Sequence, residues 1–451
     1  MTKTSRTIYI DCTATYYLGI NTGIQRVVRN IVKRAVALSD TEGQKFVPVV
    51  SNFGHFWRSP RFNALQLASQ NMSTVMHGGT KASVWLSAHE KKAIQKSKKF
   101  SPWLAYAYFI SAIRRLIRYG GYALLQTPFV VGLLTGSIRR IKPKSGDFLL
   151  MPDAFWAYDV VTPLNKRRNQ KLIVAPMIHD LIPVTHPQYC DKHFVKTFKR
   201  LLPQICAHSS AFVCISHSTL NSLLAFFKDH DMQREAALPT AIWYSGADIA
   251  NEPDSGIEEL PIRSDVQTMD FATDTFLMVG TIEPRKGYDD AFAVFTRMWD
   301  AGRTERLVIV GRVGWMCEDL VEAMTNSPYV NRHLFIYTNA NDNELDFFYE
   351  HSTALIFASR AEGFGLPLVE AMQKGLDVIA SDIPVFKEIG GDSARYFVTQ
   401  DLDDLERTIV EFVENKPEQH DALEWHDWDQ ATRRLLDTCS KLADQASPAE
   451  T

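Results

Sequence analysis

The 451-residue chain has six cysteines, Cys12, Cys190, Cys206, Cys214, Cys317 and Cys439, but no CxxC pair and no metal-ligand spacing. They read as reduced, mostly buried thiols of a cytosolic protein, and a disulfide framework is excluded. No Gly-x-Gly-x-x-Gly turn follows the first strand-like run, Thr7 to Cys12, which argues against a dinucleotide-dependent oxidoreductase. The one Asp-x-Asp spacing, Asp229 to Asp231, follows the helix-like LLAFFK and reads as a solvated turn, so no metal is expected. No leader is visible, since Arg6 runs straight into TIYID. The longest apolar stretch, Tyr119 to Ile138, is interrupted by Gln126, Pro128 and four glycines, which weakens a membrane-spanning reading. Acidic residues are missing altogether from 91 to 144, where seven Lys and five Arg stand alone. The net charge of −3 therefore hides +12 in those 54 residues and about −15 elsewhere. So acidic a remainder fits poorly with nucleic-acid binding.

What the chain does have is the run EGFGLPLVE, Glu362 to Glu370. Two carboxylates eight residues apart bracket a Gly-rich turn and a helix start, directly after the apolar strand Ala354 to Ala358. Strand, glycine turn and helix N-terminus present free N–H groups and the positive end of the helix dipole to an anion. Pro367 suits the first helical position. Flanking carboxylates do not favour a bare phosphate; they suit a ligand that also offers hydroxyls, such as a sugar nucleotide.

Short apolar runs alternate with amphipathic helical patterns along the chain. The runs are Phe148–Met151, Leu172–Met177, Ala211–Ile215, Thr275–Gly280, Leu307–Val310, Leu334–Tyr337, Ala354–Ala358 and Asp377–Ala380. Near the start, Ile24, Val27, Val28, Ile31 and Val32 recur at helical spacing, with Thr22 as N-cap and Gly23 allowing a tight loop. Such alternation predicts parallel sheets covered on both faces. It occurs twice, around a polar, acidic, proline-containing break near 248–272. Two α/β domains facing across a cleft are expected, with ligands beyond the strand carboxyl ends.

The second half opens with FLMVGTIEPRKGYDDAFAVF, a buried strand ending at Gly280, then a loop with Glu283, Arg285 and Lys286, then Gly287 and a helix. Arg as a planar fork and Lys as a point charge suit a diphosphate. A solvated charged loop would carry the same residues; EGFGLPLVE about 75 residues later favours the anion site.

Three segments, VGTIEPRKG, LVIVGRVGW (Leu307 to Trp315) and EGFGLPLVEAMQKGLDVIASDIPVFKEIGG (Glu362 to Gly391), resemble the donor half of glycosyltransferase family 4, group 1. TGIQRV, GDFLLMPDAFW (Gly146 to Trp156), IHDLIPVTHPQY (Ile178 to Tyr189), FVCISHST (Phe212 to Thr219) and SGAD (Ser245 to Asp248) resemble its bacterial surface-polysaccharide members. The resemblance covers nearly the whole chain except about 55–145. It implies the GT-B fold, two Rossmann-like domains. Residues 1–250 would be the acceptor-side domain, with a basic aromatic insertion at about 91–144 and the returning helix 427–442. Residues 251–271 would be the linker and 272–426 the nucleotide-sugar donor domain.

The resemblance also implies roles. Arg285 and Lys286 would neutralise the leaving diphosphate, with backbone near Gly365 and Leu366 on the same phosphates or the sugar. Glu370 would take ribose hydroxyls and Glu362 donor-sugar hydroxyls. Gly23 would let the first loop approach the phosphates, and Gly280 and Gly311 would line the donor side. His179 and Asp180 would line the acceptor side or contact the transferred sugar; a strand-end His-Asp pair is also a common structural pair. Many members place an Arg directly after the strand-end glycine, where this chain has Thr281, and Arg285 is taken to serve instead. Ser216 and Ser218 read first as helix caps.

Residues 100–142 mix Trp103, Tyr106, Tyr108, Phe109, Tyr119, Tyr122 and Phe129 with five Arg. A cationic, aromatic, amphipathic segment suits a membrane interface; a packed helical pair of the first domain is the alternative. The expectation is a retaining, metal-independent hexosyltransferase without cofactor, at the inner face of the cytoplasmic membrane. It would move a hexose or deoxyhexose from a nucleotide sugar to a lipid-linked or oligosaccharide acceptor of a surface polysaccharide. GDP-mannose is preferred by resemblance, with rhamnosyl, glucosyl and galactosyl donors open. A non-catalytic scaffold that binds sugar nucleotide or glycan is the rival.

Overall fold

A computed structural model of the chain describes residues 6–18, 23–42, 45–58, 129, 138–167, 172–248, 261–416 and 424–446. The segment expected at a membrane surface, 91–144, lies outside the described residues except for 129 and 138–144, and so do Thr22 and the linker residues 251–260. The chain forms two compact units, 1–176 with 443–451 and 177–442.

In the first unit the strands are β1 (Thr7–Asp11), β2 (Lys45–Asn52), β3 (His55–Arg58), β4 (Arg139–Arg140), β5 (Phe148–Met151) and the first part of β6 (Ile173–Ile178). They lie in the order β4-β3-β2-β1-β5-β6. Pairing is parallel from β2 to β6 and antiparallel for β3 and β4. β5 is buried throughout and β1 nearly so, because a parallel strand is covered on both faces. β2 was not among the expected strands, and Pro48 stands inside it, where a missing N–H forgoes a ladder bond. Among the described residues β3 pairs with Val49 to Asn52 and not with Pro48. Helix α1 (Gly23–Glu42) buries Val27, Val28, Ile31 and Val32 as their spacing predicts.

In the second unit the last residues of β6, Met177 and Ile178, pair with β7 (Phe212–Cys214), and β7 pairs with β8 (Thr240–Ile242). Helices α2 (Lys192–His208) and α3 (His217–Asp229) flank them in sequence. A six-stranded sheet follows, built from β9 (Thr275–Val279), β10 (Arg306–Val310), β11 (Leu334–Tyr337), β12 (Ala354–Phe357), β13 (Asp377–Ser381) and β14 (Ala394–Phe397). All its pairs are parallel, in the order β11-β10-β9-β12-β13-β14. Its helices include α4 (Tyr288–Asp300), α5 (Asp342–His351), α6 (Leu366–Gln373), α7 (Pro384–Gly390) and α8 (Leu402–Glu414). Phe276, Phe295, Trp299 and Phe412 sit in its core, with Phe276 edge-on to Phe295 at 5.6 Å. Each such ring contributes about 2 kcal/mol by leaving water. β14 was not foreseen; ARYF buries only its last residue fully, as an edge strand does.

Helix α9 (Trp428–Ala446) begins against the segment after β8. Trp243 Nε1 donates to Ala431 O at 2.7 Å, and the Trp428 amide donates to Asp248 at 2.7 Å. Gly246 is required there, since a Cβ would stand 2.6 Å from the Trp428 backbone. All six cysteines are free and buried. No described helix is long and apolar enough to cross a membrane. In the six-stranded sheet the chain order reverses between β9 and β12, so the carboxyl ends of those two strands are the natural ligand position.

Candidate active site

β9 ends at Val279, and the next eight residues, 280–287, make a tight loop into α4. The Gly280 amide donates to Val310 O at 3.0 Å, and Tyr288 Oη donates to Gly280 O at 2.7 Å. A Cβ on Gly311 would lie 1.7 Å from Gly280 O, so only glycine lets the ends of β9 and β10 approach this closely. Glu283 precedes a turn of 3-10 helix, Pro284–Lys286. Gly287 then takes φ +67°, and its Cβ would stand 2.1 Å from Ala358 O. The loop is thereby pressed against the end of β12: Arg360 N–H donates to Arg285 O at 2.7 Å, and Arg285 Nη1 to Ala361 O at 3.1 Å.

This places both cations on one carboxylate. Lys286 Nζ is 2.5 Å from Glu362 Oε1, and Arg285 Nη1 is 2.7 Å from Glu362 Oε2. Arg285 Nη2 reaches Glu283 Oε1 at 2.6 Å. Ser359 Oγ donates to Glu362 Oε1 at 2.9 Å, and the Phe357 ring lies 5.1 Å beneath the Lys286 ammonium. Burial would raise the Glu362 carboxyl, but Arg285 and Lys286 outweigh it and bring it down to about 2. Burial lowers Lys286, with Glu362 opposing, and Arg285 is raised because Glu362, Glu283 and Asp180 overcome its own desolvation. Glu283 and Asp180 stay above their ordinary values; burial prevails over the pull of Arg285.

The turn after Glu362 leads to Gly365, at φ +104°, whose Cβ would meet the Phe386 and Phe357 rings at 3.0 and 3.1 Å. Helix α6 starts at Leu366, one residue earlier than expected, so Pro367 sits second. Pro367 brings no N–H and the Leu368 amide turns back to Gly365 O at 3.0 Å, so an anion position at this end rests on the Gly365 and Leu366 amides. Glu370 lies one turn on, buried, accepting from Tyr349 Oη at 2.9 Å.

His179 and Asp180 follow β6. Asp180 Oδ1 accepts from the Ile182 amide at 3.0 Å, and the carboxylate is coupled electrostatically to Arg285 and Glu362. A Cβ on Gly363 would stand 1.8 Å from His179 O, so glycine lets the two turns touch. The structure thus gathers Asp180, His179, Arg285, Lys286 and Glu362, with Gly280 and Gly311 behind them and Gly365, Leu366 and Glu370 along α6. Gly23 lies in the first unit, exposed, at the start of α1, where an added Cβ would meet nothing within 4 Å among the described residues. Asp229 and Asp231 are exposed at the end of α3.

Sequence reasoning missed several partners. Glu283 was seen in the loop but not assigned, and Ser359, Tyr349 and the Ser216 contact with Gly363 O at 2.7 Å carried no local signal. It also missed a second buried cluster, in the first unit. Asp11, at the end of β1, accepts from Thr13 Oγ1 at 2.5 Å and from Tyr158 Oη. Asp153, just after neighbouring β5, accepts from the Thr15 and Ala154 amides at 2.7 and 2.8 Å. Burial, with Asp153 adding to it, pushes Asp11 up to about 7, and burial pushes Asp153 up to about 6.

Residues 269–424 match the family model described as Glycosyl transferases group 1. The serotype-specific mannosyltransferase WbdA of Escherichia coli is 33% identical over 295 residues, 64% of this chain and 36% of WbdA. The chain thus spans little more than a third of that relative's length. The O-antigen chain mannosyltransferase RfbU of Salmonella typhimurium is 23% identical over 311 residues, 66% of this chain and 78% of RfbU. Among solved structures, HepE of Anabaena in complex with UDP and glucose matches with a TM-score of 0.55 at 13% identity, over 97% of this chain and 100% of that one. Sucrose-phosphate synthase from Thermosynechococcus elongatus matches with 0.52 at 13%, over 98% and 97%. At that identity the likeness concerns the fold alone, the α/β, parallel-sheet architecture of GT-B proteins.

Proposed function

We propose, from the match of residues 269–424 to the Glycosyl transferases group 1 family model, that the chain is a retaining hexosyltransferase of bacterial surface-polysaccharide synthesis. The donor is a nucleotide sugar, GDP-mannose by likeness to the mannosyltransferases, and the acceptor a lipid-linked glycan. The observation that carries this reading is the convergence of Arg285 and Lys286 on Glu362 at the head of α6.

In this reading Glu362 holds the two cations in place until a donor arrives. The diphosphate then takes over Arg285 and Lys286, and Glu362 passes to hydroxyls of the donor sugar. As the bond from the anomeric carbon to the diphosphate breaks, its electron pair stays on the phosphate oxygen. Two fixed cations and the α6 N-terminus stabilise that charge without rearranging. They supply what a divalent ion supplies elsewhere, which makes the reaction metal-independent. Retention follows from attack by the acceptor hydroxyl on the face the diphosphate leaves, its proton passing to a phosphate oxygen, or from a covalent enzyme intermediate. Glu370 meets the ribose. Residues 91–144 bring the protein to anionic lipid at the inner face of the membrane.

The test is turnover by the full chain with GDP-mannose, UDP-glucose, UDP-galactose and dTDP-rhamnose, using a polyprenyl-diphosphate glycan as acceptor. Transfer of mannose with retained configuration is expected. Specific binding of one donor without turnover, with every acceptor tried, would favour the scaffold reading. Sedimentation with vesicles checks the membrane arm: binding to anionic and not to neutral lipid is expected.

A further inference from the structure

Helix α3 does more than cover β7. Its N-cap, Ser216, accepts from the Thr219 amide at 3.0 Å, as a cap should. The same hydroxyl donates to Gly363 O at 2.7 Å. Thr219 Oγ1 lies 3.2 Å from Gly363 O and 3.4 Å from His179 O. Both hydroxyl residues are buried, at 0% and 3% exposure. Gly363 directly follows Glu362, so the peptide beyond Glu362 is held by α3 while its side chain is held by Arg285 and Lys286.

Helix α3 is itself held. Glu388 of α7 accepts from the His217 amide at 2.7 Å through Oε1 and from the Ser218 amide at 2.9 Å through Oε2. Tyr244 Oη donates to Glu388 Oε1 at 3.0 Å. A carboxylate across the first two N–H groups of a 13-residue helix satisfies orphan donors and complements the dipole. No sequence motif of the site requires these contacts.

We propose that Ser216 and Thr219 are positioning residues for Glu362, and that Glu388 fixes α3 so that they can be. The inference rests on the glycosyltransferase reading for its catalytic meaning. The clamp fixes the direction in which the Glu362 carboxylate leaves its cations and meets the donor sugar. It also holds the His179 turn against the Glu362 turn, so loss of the clamp displaces both.

Two measurements on the full chain test it. Peptide-level amide exchange over 358–366 should quicken in Ser216→Ala and Glu388→Gln, with the β9 peptide 275–279 unchanged. Unchanged exchange over 358–366 overturns the clamp, whatever the protein catalyses. The second is transfer from GDP-mannose. Thr219→Val, an isostere that leaves the cap intact, should lower kcat about tenfold, within the range that small misplacements of reacting groups produce, with donor KM little changed. Thr219→Ser should restore it. Equal kcat in Thr219→Val and wild type, or a loss that Thr219→Ser fails to rescue, overturns the positioning role. If the wild type transfers no sugar, the functional reading fails by itself and the clamp is decided by exchange.

Discussion

Glu362 and Asp11 are both largely buried carboxylates near the carboxyl ends of parallel strands, one in each unit; burial raises both, yet they end on opposite sides of the ordinary carboxylate range. Glu362 has Arg285 and Lys286 within 2.7 Å and is held down at about 2. Asp11 has hydroxyl and amide donors and a second carboxylate nearby, and is pushed up to about 7. Hydrogen bonds from neutral groups thus offset only part of the desolvation, whereas two cations reverse it. The first cluster is a charged one, two cations on one carboxylate. The second takes up a proton near neutrality.

The largest effect should come from removing the charge that the cations hold. Glu362→Gln leaves Arg285 and Lys286 buried with one carboxylate fewer, and should destabilise the second unit by about 3 kcal/mol at pH 7. The sign follows from linkage: a carboxyl lowered from 4.5 to about 2 on folding contributes stability above 4.5 that is lost as pH falls toward 2. Urea unfolding of wild type and variant should therefore converge below pH 3. A constant gap across that range would show that the charge is not the cause.

Asp11 should behave in reverse. Its carboxyl is raised from 3.8 to about 7 on folding, so its contribution is full below 3.8 and is lost as pH rises through 7. Asp11→Asn keeps the shape, and its amide can donate to Tyr158 Oη. It should stabilise the first unit more at pH 8 than at pH 5, by about 2 kcal/mol. An equal effect at both values would remove the contrast between the clusters.

Gly23→Ala should have the smallest effect on stability, within about 0.5 kcal/mol, because a Cβ there meets nothing within 4 Å among the described residues. If Gly23 is needed for close approach of a phosphate, this variant folds normally and transfers poorly. Full transfer would leave Gly23 without a part in the site.

Much of this was legible in the sequence. Strands buried on both faces announce themselves as apolar runs, and β5 and β11 fall on the expected residues. Arg285, Lys286 and Glu362 were singled out on loop chemistry and on the spacing of EGFGLPLVE, and the fold brings the three together. What stayed hidden depends on folding together residues far apart in the chain. Ser216 meets Gly363 across 147 positions, and Glu388 meets His217 across 171. All four residues lie inside runs quoted for the resemblance, FVCISHST and Glu362 to Gly391, but neither run says which residue of the other it meets. Asp11 and Asp153 become neighbours only because β1 pairs with β5.

The most direct measurement is thermal unfolding of the full chain with GDP, UDP, ADP and dTDP, in wild type and Lys286→Ala. A nucleotide at a hundredfold excess over its Kd adds about 2.7 kcal/mol to the folded state. One diphosphate, GDP by the present reading, should raise the midpoint by several degrees in the wild type and not in Lys286→Ala. A shift that survives in the folded variant, or no shift with any of the four, would contradict the claim that Arg285 and Lys286 form a diphosphate site.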